Sequence, residues 1–243
     1  MQFDPASKKL RIDAADLCHT VVNHADIDRR AARIREDDGK VDELLESRHG
    51  TNYHTKQALC RTVSRGGLFY EISGTADGIL RESGKTTVCV NRLYGGYTSE
   101  LSADRTAETV ALAALLAYMV AESEMLGTVT FCVTFFHNSR DVRTIEKSFS
   151  RRELSEAVLR LIDLHRPFAA LEAERLCVRI PNCRTLAFPY PAMRPQQRDF
   201  IVETLRAIGG GKKALIEAPT GTGKTVAALY PALRALGAGM IDK

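Results

Sequence analysis

The sequence has 243 residues, of which 44% are hydrophobic and 26% are charged, and its net charge is +4. These values are ordinary for a soluble globular protein of one or two domains, and the charge is weaker than that of most dedicated DNA-binding domains. The longest apolar run, residues 110–121, is too short to cross a bilayer, so we predict a buried helix there and no membrane contact.

Cysteine spacing and the N-terminal residues bear on the cellular compartment. The six cysteines never occur as a Cys-x-x-Cys pair, and the N-terminus has no apolar signal segment. Such thiols most simply stay reduced, so we expect a cytoplasmic protein without a zinc or iron–sulfur site. The nearest approach to a basic cluster consists of Arg140, Arg143, Lys147, Arg151 and Arg152. A solvated face is a simpler interpretation of that cluster than a DNA contact.

The N-terminal elements change in character near residue 50. Before it, the pattern predicts one helix in 14–27 and one or two more in 29–48, interrupted near Asp38 and Gly39. After it, residues 67–80 and 85–94 are rich in β-branched and aromatic residues and flank a turn-like "RESG", which predicts a β-hairpin.

A long helix and a second strand pair are predicted next. The helix covers about 103–125 and is followed by Gly127 as a helix-ending residue. Residues 128–136 and 142–149 read as strands, and Ser150 to Glu153 is a capping box. The helix that it opens is predicted to run to about Cys177, with a kink or break at Pro167.

Prolines at 181, 189, 191 and 195 indicate a linker, and a different order of elements follows it. Residues 195–208 have helical spacing, "ALIEA" at 214–218 reads as a buried strand, and 224–236 predict a second helix after a glycine loop. Helix, strand, phosphate loop and helix in this order begin an α/β nucleotide-binding domain.

The glycine loop, Ala218 to Thr225, reads "APTGTGKT". Gly221 and Gly223 allow a tight turn whose backbone N–H groups can point at phosphate oxygens, and the next helix adds its partial positive charge. In this pattern Lys224 reaches the β- and γ-phosphates, and Thr225 offers its hydroxyl to Mg²⁺. The loop therefore predicts binding of ATP with Mg²⁺.

Residues 187–243 resemble the start of the first motor domain of superfamily 2 DNA helicases of the XPD/DinG type. The resemblance rests on "FPYPAMRPQQRDFIVETLRAI" and on the loop with its flanking elements. It implies DNA as a partner and an adenine-reading glutamine at Gln197, beside Gln196, with Phe188 or Tyr190 packed on the adenine ring. The alternatives are an exposed Gln197 in the first helical turn and aromatic residues that cover a core edge. The implied nucleotide-binding residues are Gln197, Pro219, Thr220, Gly221, Thr222, Gly223, Lys224 and Thr225.

The first 180 residues resemble a RecB-like PD-(D/E)XK nuclease domain, which precedes the motor in some bacterial members of that helicase group. "SGTADGIL" matches the strand that carries the metal-binding acid, which would be Asp77. The next strand should supply Glu-x-Lys for Mg²⁺ and water activation, but Val90 and Arg92 stand there. The long helix also lacks the Gln expected before its Tyr. A substitute acid from Glu100 or Glu108 is an open alternative.

The resemblance therefore implies a nuclease fold without its chemistry. One carboxylate does not hold a catalytic Mg²⁺, so Asp77 is interpreted as vestigial, or as a turn Asp before Gly78. Such a module would be kept for structure or for DNA contact.

The predicted fold is α/β: a nuclease-like domain over 1–180, a linker over 181–194 and a truncated RecA-like motor domain over 195–243. The first hypothesis is the N-terminal part of an ATP-dependent DNA helicase. The second is a non-catalytic DNA- or partner-binding module with a residual ATP site, and an active nuclease ranks last. No strand ending in Asp-Glu follows the loop, and "VDELL" at 41–45 has a helical context. We therefore expect this chain alone neither to turn over ATP usefully nor to unwind DNA.

Overall fold

A mixed eight-stranded sheet organises the first of two units into which the chain divides, residues 1–169 and 170–243. The computed structural model describes residues 1–22, 34–36, 50–82, 84–138 and 140–241. In these residues the strands are β1 Gln2–Asp4, β2 Lys9–Asp13, β3 Ile34–Glu36, β4 Tyr53–Arg65, β5 Leu68–Glu82, β6 Lys85–Tyr94, β7 Thr128–Phe136 and β8 Val142–Ser150. Their order is β1-β2-β5-β6-β7-β8, with β4 beside β5 and β3 beside β6. The pairs β2–β5 and β6–β7 are parallel, and the others are antiparallel.

The described residues also form five α-helices. The described α-helices are α1 Ala14–Val22, α2 Ala103–Ser123, α3 Arg151–Thr185, α4 Gln197–Gly209 and α5 Lys224–Gly237. Short 3₁₀ turns cover Gly50–Asn52 and Thr98–Glu100. The predicted α/β fold class is confirmed at this level.

Helix α2 is the core helix of the first unit. It joins the parallel strands β6 and β7, a connection that needs a long crossover, and Ser102 caps its N-terminus by accepting from the Arg105 N–H. Its length and composition would also suit a membrane span. However, most of the helix is buried, and Leu115, Leu116 and Met119 are almost fully enclosed. The predicted buried helix at 110–121 is therefore confirmed.

Several predicted elements have the expected positions. The hairpin of β5 and β6, the strands β7 and β8, and the capping box are confirmed. In the capping box the Glu153 carboxylate accepts from the Ser150 N–H at 2.8 Å, and the Ser150 hydroxyl accepts from the Glu153 N–H at 3.3 Å. Local sequence is enough for these features because each depends on neighbouring residues.

The helical prediction for the first 50 residues is wrong at Gln2–Asp4, Lys9–Asp13 and Ile34–Glu36, which are strands. β1 and β2 form a hairpin, β2 continues in parallel pairing with β5, and residues 34–36 pair with β6. The rest of that prediction, including Asp38, Gly39 and the "VDELL" segment, lies outside the described residues. β2 and β3 are strands because they pair with strands far along the chain. Local propensity carries no information on such pairing. The alternation of buried Leu10 and Ile12 with exposed Arg11 and Asp13 was the available signal.

Two predictions near the C-terminus also differ from the structure. α3 is not divided at Pro167 and continues to Thr185, and the division between the two units falls after Ala169. The predicted strand 214–218 is wrong: this segment has no regular structure, and Leu215 is fully exposed. A strand is stable only when a neighbour pairs with it, and no strand of the described chain lies beside these residues.

Candidate functional site

Two glycines shape the loop before α5. Gly221 has φ 88° and Gly223 has φ 78°, both in the left-handed region that favours glycine. Gly223 is also the N-cap of α5, so Lys224 and Thr225 are the first residues of that helix. Since the N-terminus of a helix carries partial positive charge, the loop and Lys224 together create a site that favours an anion.

Side chains of the loop bond to its own backbone. The Thr222 hydroxyl donates to the Pro219 carbonyl at 2.9 Å, and the Lys224 ammonium donates to the Ala218 carbonyl at 2.9 Å. The Lys224 side chain therefore extends from the start of α5 to the first residue of the loop. A single carbonyl is a weak partner for a full positive charge, so a phosphate oxygen can compete for this ammonium.

Gln197 connects α4 to the loop. Its side-chain oxygen accepts from the Arg194 N–H at 3.0 Å, and its amide nitrogen donates to the Gly223 carbonyl at 3.3 Å. The Arg194 guanidinium also donates to the Gly221 carbonyl. A Cβ at Gly223 would lie 2.6 Å from the Gln197 amide nitrogen, so this contact requires glycine.

Gln197 is 3% exposed, so the interpretation as an exposed polar residue is wrong. Its contact with adenine remains a prediction. The sequence did not single out Arg194, because nothing in "RPQQ" shows which side chain turns back onto the loop. The only available signal was a positively charged residue just before the segment that contains the predicted phosphate loop.

Aromatic side chains cluster beside α5. The Phe188 ring meets those of Tyr190 and Tyr230 edge to face, with centroid distances of 6.0 Å and 5.4 Å. Tyr190 remains 58% exposed. The pair of Phe188 and Tyr230 fits the interpretation that these residues cover a core edge, and a role in adenine stacking stays a prediction.

A cavity of about 550 Å³ adjoins the start of the loop at Ala218 and Pro219. Its wall carries the acidic residues Asp199, Glu203 and Glu217. Because like charges repel strongly at short range, this cavity does not suit the phosphates of a nucleotide. The feature of this unit that favours an anion is the loop itself.

Asp77 in the first unit lies within β5, so its interpretation as a turn residue is wrong. One carboxylate oxygen accepts from the Asn91 N–H at 2.7 Å and from the Arg92 guanidinium at 2.9 Å. The Lys56 ammonium lies 3.6 Å from the other oxygen. The β5–β6 register begins at the pair of Gly78 and Cys89, and Asp77 immediately precedes it on β5.

The surroundings of Asp77 favour this ion pair over a metal ion. Asp77 lines a cavity of about 300 Å³ with Asp13, Lys56 and Arg92, so two basic groups balance the two acidic ones. Glu108, a possible substitute acid, bonds to His19 at 3.2 Å, and Glu100 ends a 3₁₀ turn. The described residues contain no group of three or more metal-binding side chains.

Comparisons with known proteins agree with the geometry of the loop. Residues 194–242 match the family described as DEAD/DEAH box helicase. A stretch of 45 residues is 47% identical to the general transcription and DNA repair factor IIH helicase subunit XPD of Arabidopsis thaliana. The match covers 18% of this chain, and the chain spans only 6% of the length of that relative. The crystal structure of SSO0001 gives a TM-score of 0.35 at 15% identity over 51% of this chain and 55% of that one, which is too low to show a shared fold.

The loop and the helix that follows it have the geometry of a P-loop. Residues 194–242 are similar to the DEAD/DEAH box helicase family and to part of a helicase subunit. This supports a helicase-type function for the chain.

The first prediction concerns the support of the loop by Gln197. In Gln197→Ala the Arg194 N–H loses its side-chain partner and the Gly223 carbonyl keeps only the Ala227 N–H, which should cost about 1–3 kcal/mol of local stability. Amide hydrogen exchange over 221–225 should therefore accelerate. Arg198→Ala, an exposed neighbour on the same helix, is the control and should leave exchange unchanged. Equal exchange in both variants would contradict a supporting role for Gln197.

The second prediction compares two arginine–carboxylate pairs of the first unit. Arg92 and Asp77 are mostly buried, whereas the side chains of Arg81 and Glu124 are about one-third exposed. Arg92→Ala should lower the free energy of unfolding by about 1.5–3 kcal/mol, because it removes charge-assisted hydrogen bonds from an enclosed carboxylate. Arg81→Ala should cost about 0–1 kcal/mol. Urea unfolding followed by circular dichroism measures both, and similar losses would show that Asp77 does not depend on Arg92.

Proposed function

We propose that this chain is part of an ATP-dependent DNA helicase and that its second unit binds ATP with Mg²⁺ through the loop 218–225. The observation that supports this most directly is the left-handed conformation of Gly221 and Gly223 immediately before Lys224 at the start of α5. This backbone lets loop N–H groups and a helix N-terminus act together on an anion.

Each proposed contact corresponds to a group in the loop. Lys224 would exchange its bond to the Ala218 carbonyl for the β- and γ-phosphates, and the Thr225 hydroxyl would hold Mg²⁺. Both polar atoms of Gln197 already bond to Arg194 and Gly223. A contact from Gln197 to adenine would use the second N–H of its amide nitrogen or the second lone pair of its oxygen, or would exchange one of these bonds.

Hydrolysis and DNA unwinding are proposals for the whole protein. Hydrolysis of ATP also needs a carboxylate that orients water and usually an arginine that stabilises the developing charge. The match to the XPD subunit covers 6% of that protein, so it gives no information on these groups.

For the first unit we infer a PD-(D/E)XK nuclease-like fold that no longer cuts DNA. The order α1, β4, β5, β6, α2, β7 and the parallel β6–β7 pair joined by α2 support the fold. Arg92 supports the loss of cleavage, because its guanidinium occupies the space beside Asp77 that a catalytic cation would need.

The same pair favours a second candidate function, a non-catalytic module that binds DNA or a protein partner and keeps a residual ATP site. The Arg92 guanidinium, a side chain of the same protein, balances the charge of Asp77 without a metal ion. The two candidates differ in ATP turnover: the helicase requires turnover stimulated by DNA in the complete protein, and the binding module requires none.

The third prediction tests the loop. Lys224→Ala should weaken binding of a fluorescent ATP analogue in the presence of Mg²⁺ by about 1–3 kcal/mol, because a charge-assisted contact to phosphate is lost. Lys213→Ala removes an exposed lysine of the same unit and serves as the control, with unchanged affinity. Equal affinity in Lys224→Ala and the unsubstituted chain would refute the proposed site.

The fourth prediction tests the first unit. Linear double-stranded and single-stranded DNA should remain intact during incubation with the chain in Mg²⁺ or Mn²⁺, because Val90 and Arg92 replace the acid and the lysine that cleavage requires. Gel electrophoresis of the DNA is the readout. Cleavage that Asp77→Ala abolishes would show an active nuclease and overturn the interpretation of the ion pair.

A further inference from the structure

Two cysteines face each other on the parallel strands β6 and β7. The register pairs Cys89 directly with Cys132. Neighbouring strands lie about 4.7–4.9 Å apart, and paired residues project from the same face of a sheet. The two thiols are therefore adjacent side chains on a rigid part of the fold, not surface groups that meet by chance.

This thiol pair lies on the face of the sheet away from α2. The alternate residues of the two strands, Val88, Val90, Phe131 and Val133, are enclosed in the core. Cys89 is 7% exposed, whereas Cys132 is only partly buried. A small solute can therefore reach Cys132 first, with Cys89 immediately beside it.

Polar groups around Cys132 stabilise its thiolate. The hydrogen bond from Cys89 lowers the pKa of the Cys132 thiol to about 7, with help from the Thr134 hydroxyl at 3.7 Å and the Lys85 ammonium. Burial and the carboxylate of Glu146, which faces Cys132 from β8, oppose this shift. About half of a thiol with this pKa is ionised at neutral pH, and the thiolate is the reactive form.

From this juxtaposition we infer that Cys89 and Cys132 form an oxidation site for hydroperoxides, which closes into an intramolecular disulfide between β6 and β7. The inference does not depend on the nucleotide site or on the helicase proposal. Cys132 is the attacking residue and Cys89 is the resolving residue.

The reaction balances with hydrogen peroxide as the only oxidant. The Cys132 thiolate attacks one peroxide oxygen, the O–O bond breaks, and the other oxygen leaves as hydroxide, which takes a proton to become water. The Cys89 sulfur then attacks the sulfenic sulfur of Cys132. The S–S bond forms, the S–O bond breaks, and the leaving hydroxide takes up the Cys89 proton as a second water. The two sulfurs together supply two electrons to the peroxide.

Other cysteines of the chain lack this combination. Cys18 is completely buried, and its burial, with smaller effects of Glu108 and Asp13, raises the pKa of its thiol to about 12. Cys60 is exposed on β4 but faces Ser73 across the strand pair. Oxidation at low peroxide should therefore select Cys132.

The disulfide should be easy to reduce. A disulfide prefers Cβ atoms about 3.5–4.5 Å apart, closer than the strand spacing allows without local movement. Strained disulfides have higher reduction potentials and open readily in the presence of a thiol reductant. The site is thus suited to reversible oxidation.

The test uses the full 243-residue chain with Cys60→Ser and Cys177→Ser, which remove the two exposed thiols and prevent intermolecular disulfides. After treatment with a few equivalents of hydrogen peroxide, unreacted thiols are blocked with iodoacetamide and the digest is analysed by mass spectrometry without reduction. We expect a linked peptide pair containing Cys89 and Cys132 and its disappearance after dithiothreitol. The chain without any substitution is mapped in parallel, because the linked peptide identifies the same bond there.

Single variants assign the two roles. In Cys89→Ser, Cys132 should stop at the sulfenic acid, which dimedone traps as an adduct. In Cys132→Ser, Cys89 should stay reduced, with circular dichroism as the check that each variant is folded. Oxidation of Cys132 without the linked peptide in the unsubstituted chain would overturn the proposal. So would oxidation of Cys18 or Cys183 at the same rate, which would indicate general unfolding by the oxidant.

Discussion

The architecture of the first unit depends on β6, which pairs with one antiparallel and one parallel neighbour. β6 is antiparallel to β5 and parallel to β7, and a parallel neighbour requires a crossover that leaves the sheet and returns. α2 provides that crossover and covers the sheet, which explains why its middle residues are almost entirely apolar. The alternation of side chains along β6 then divides its chemistry between two faces. Arg92 meets Asp77 on one face, and Cys89 meets Cys132 on the other.

In the pair of Asp77 and Arg92, the cation beside the carboxylate is a side chain of the same protein. A divalent cation must be gathered from solution and held by several oxygen ligands, whereas Arg92 is already part of the next strand. Its guanidinium donates to Asp77 and to the carbonyl of Asn91, so its position is determined by two acceptors. This arrangement keeps the carboxylate neutralised whatever the metal content of the solution. The ion pair is therefore a structural element that joins β5 to β6.

The loop 218–225 shows that a turn with left-handed glycines can form where no strand precedes it. Two left-handed glycines, the Gln197 amide and Arg194 hold the loop through contacts within a few turns of helix. The segment 214–218 has no such local support, because a strand obtains its hydrogen bonds from another strand. The loop and α5 are consequently formed, whereas Leu215 is left in solvent.

The sequence by itself determined the features whose causes are local. The glycines at 221 and 223, the capping box at Ser150, the hairpin of β5 and β6 and the apolar run of α2 were all predictable, because turn geometry, capping and periodicity act over a few residues. Only the tertiary structure decided the partners. It placed β2 in parallel with β5, turned Gln197 and Arg194 onto the loop, and brought Cys89 opposite Cys132. These contacts join residues far apart in the chain, and no local pattern specifies the register that creates them.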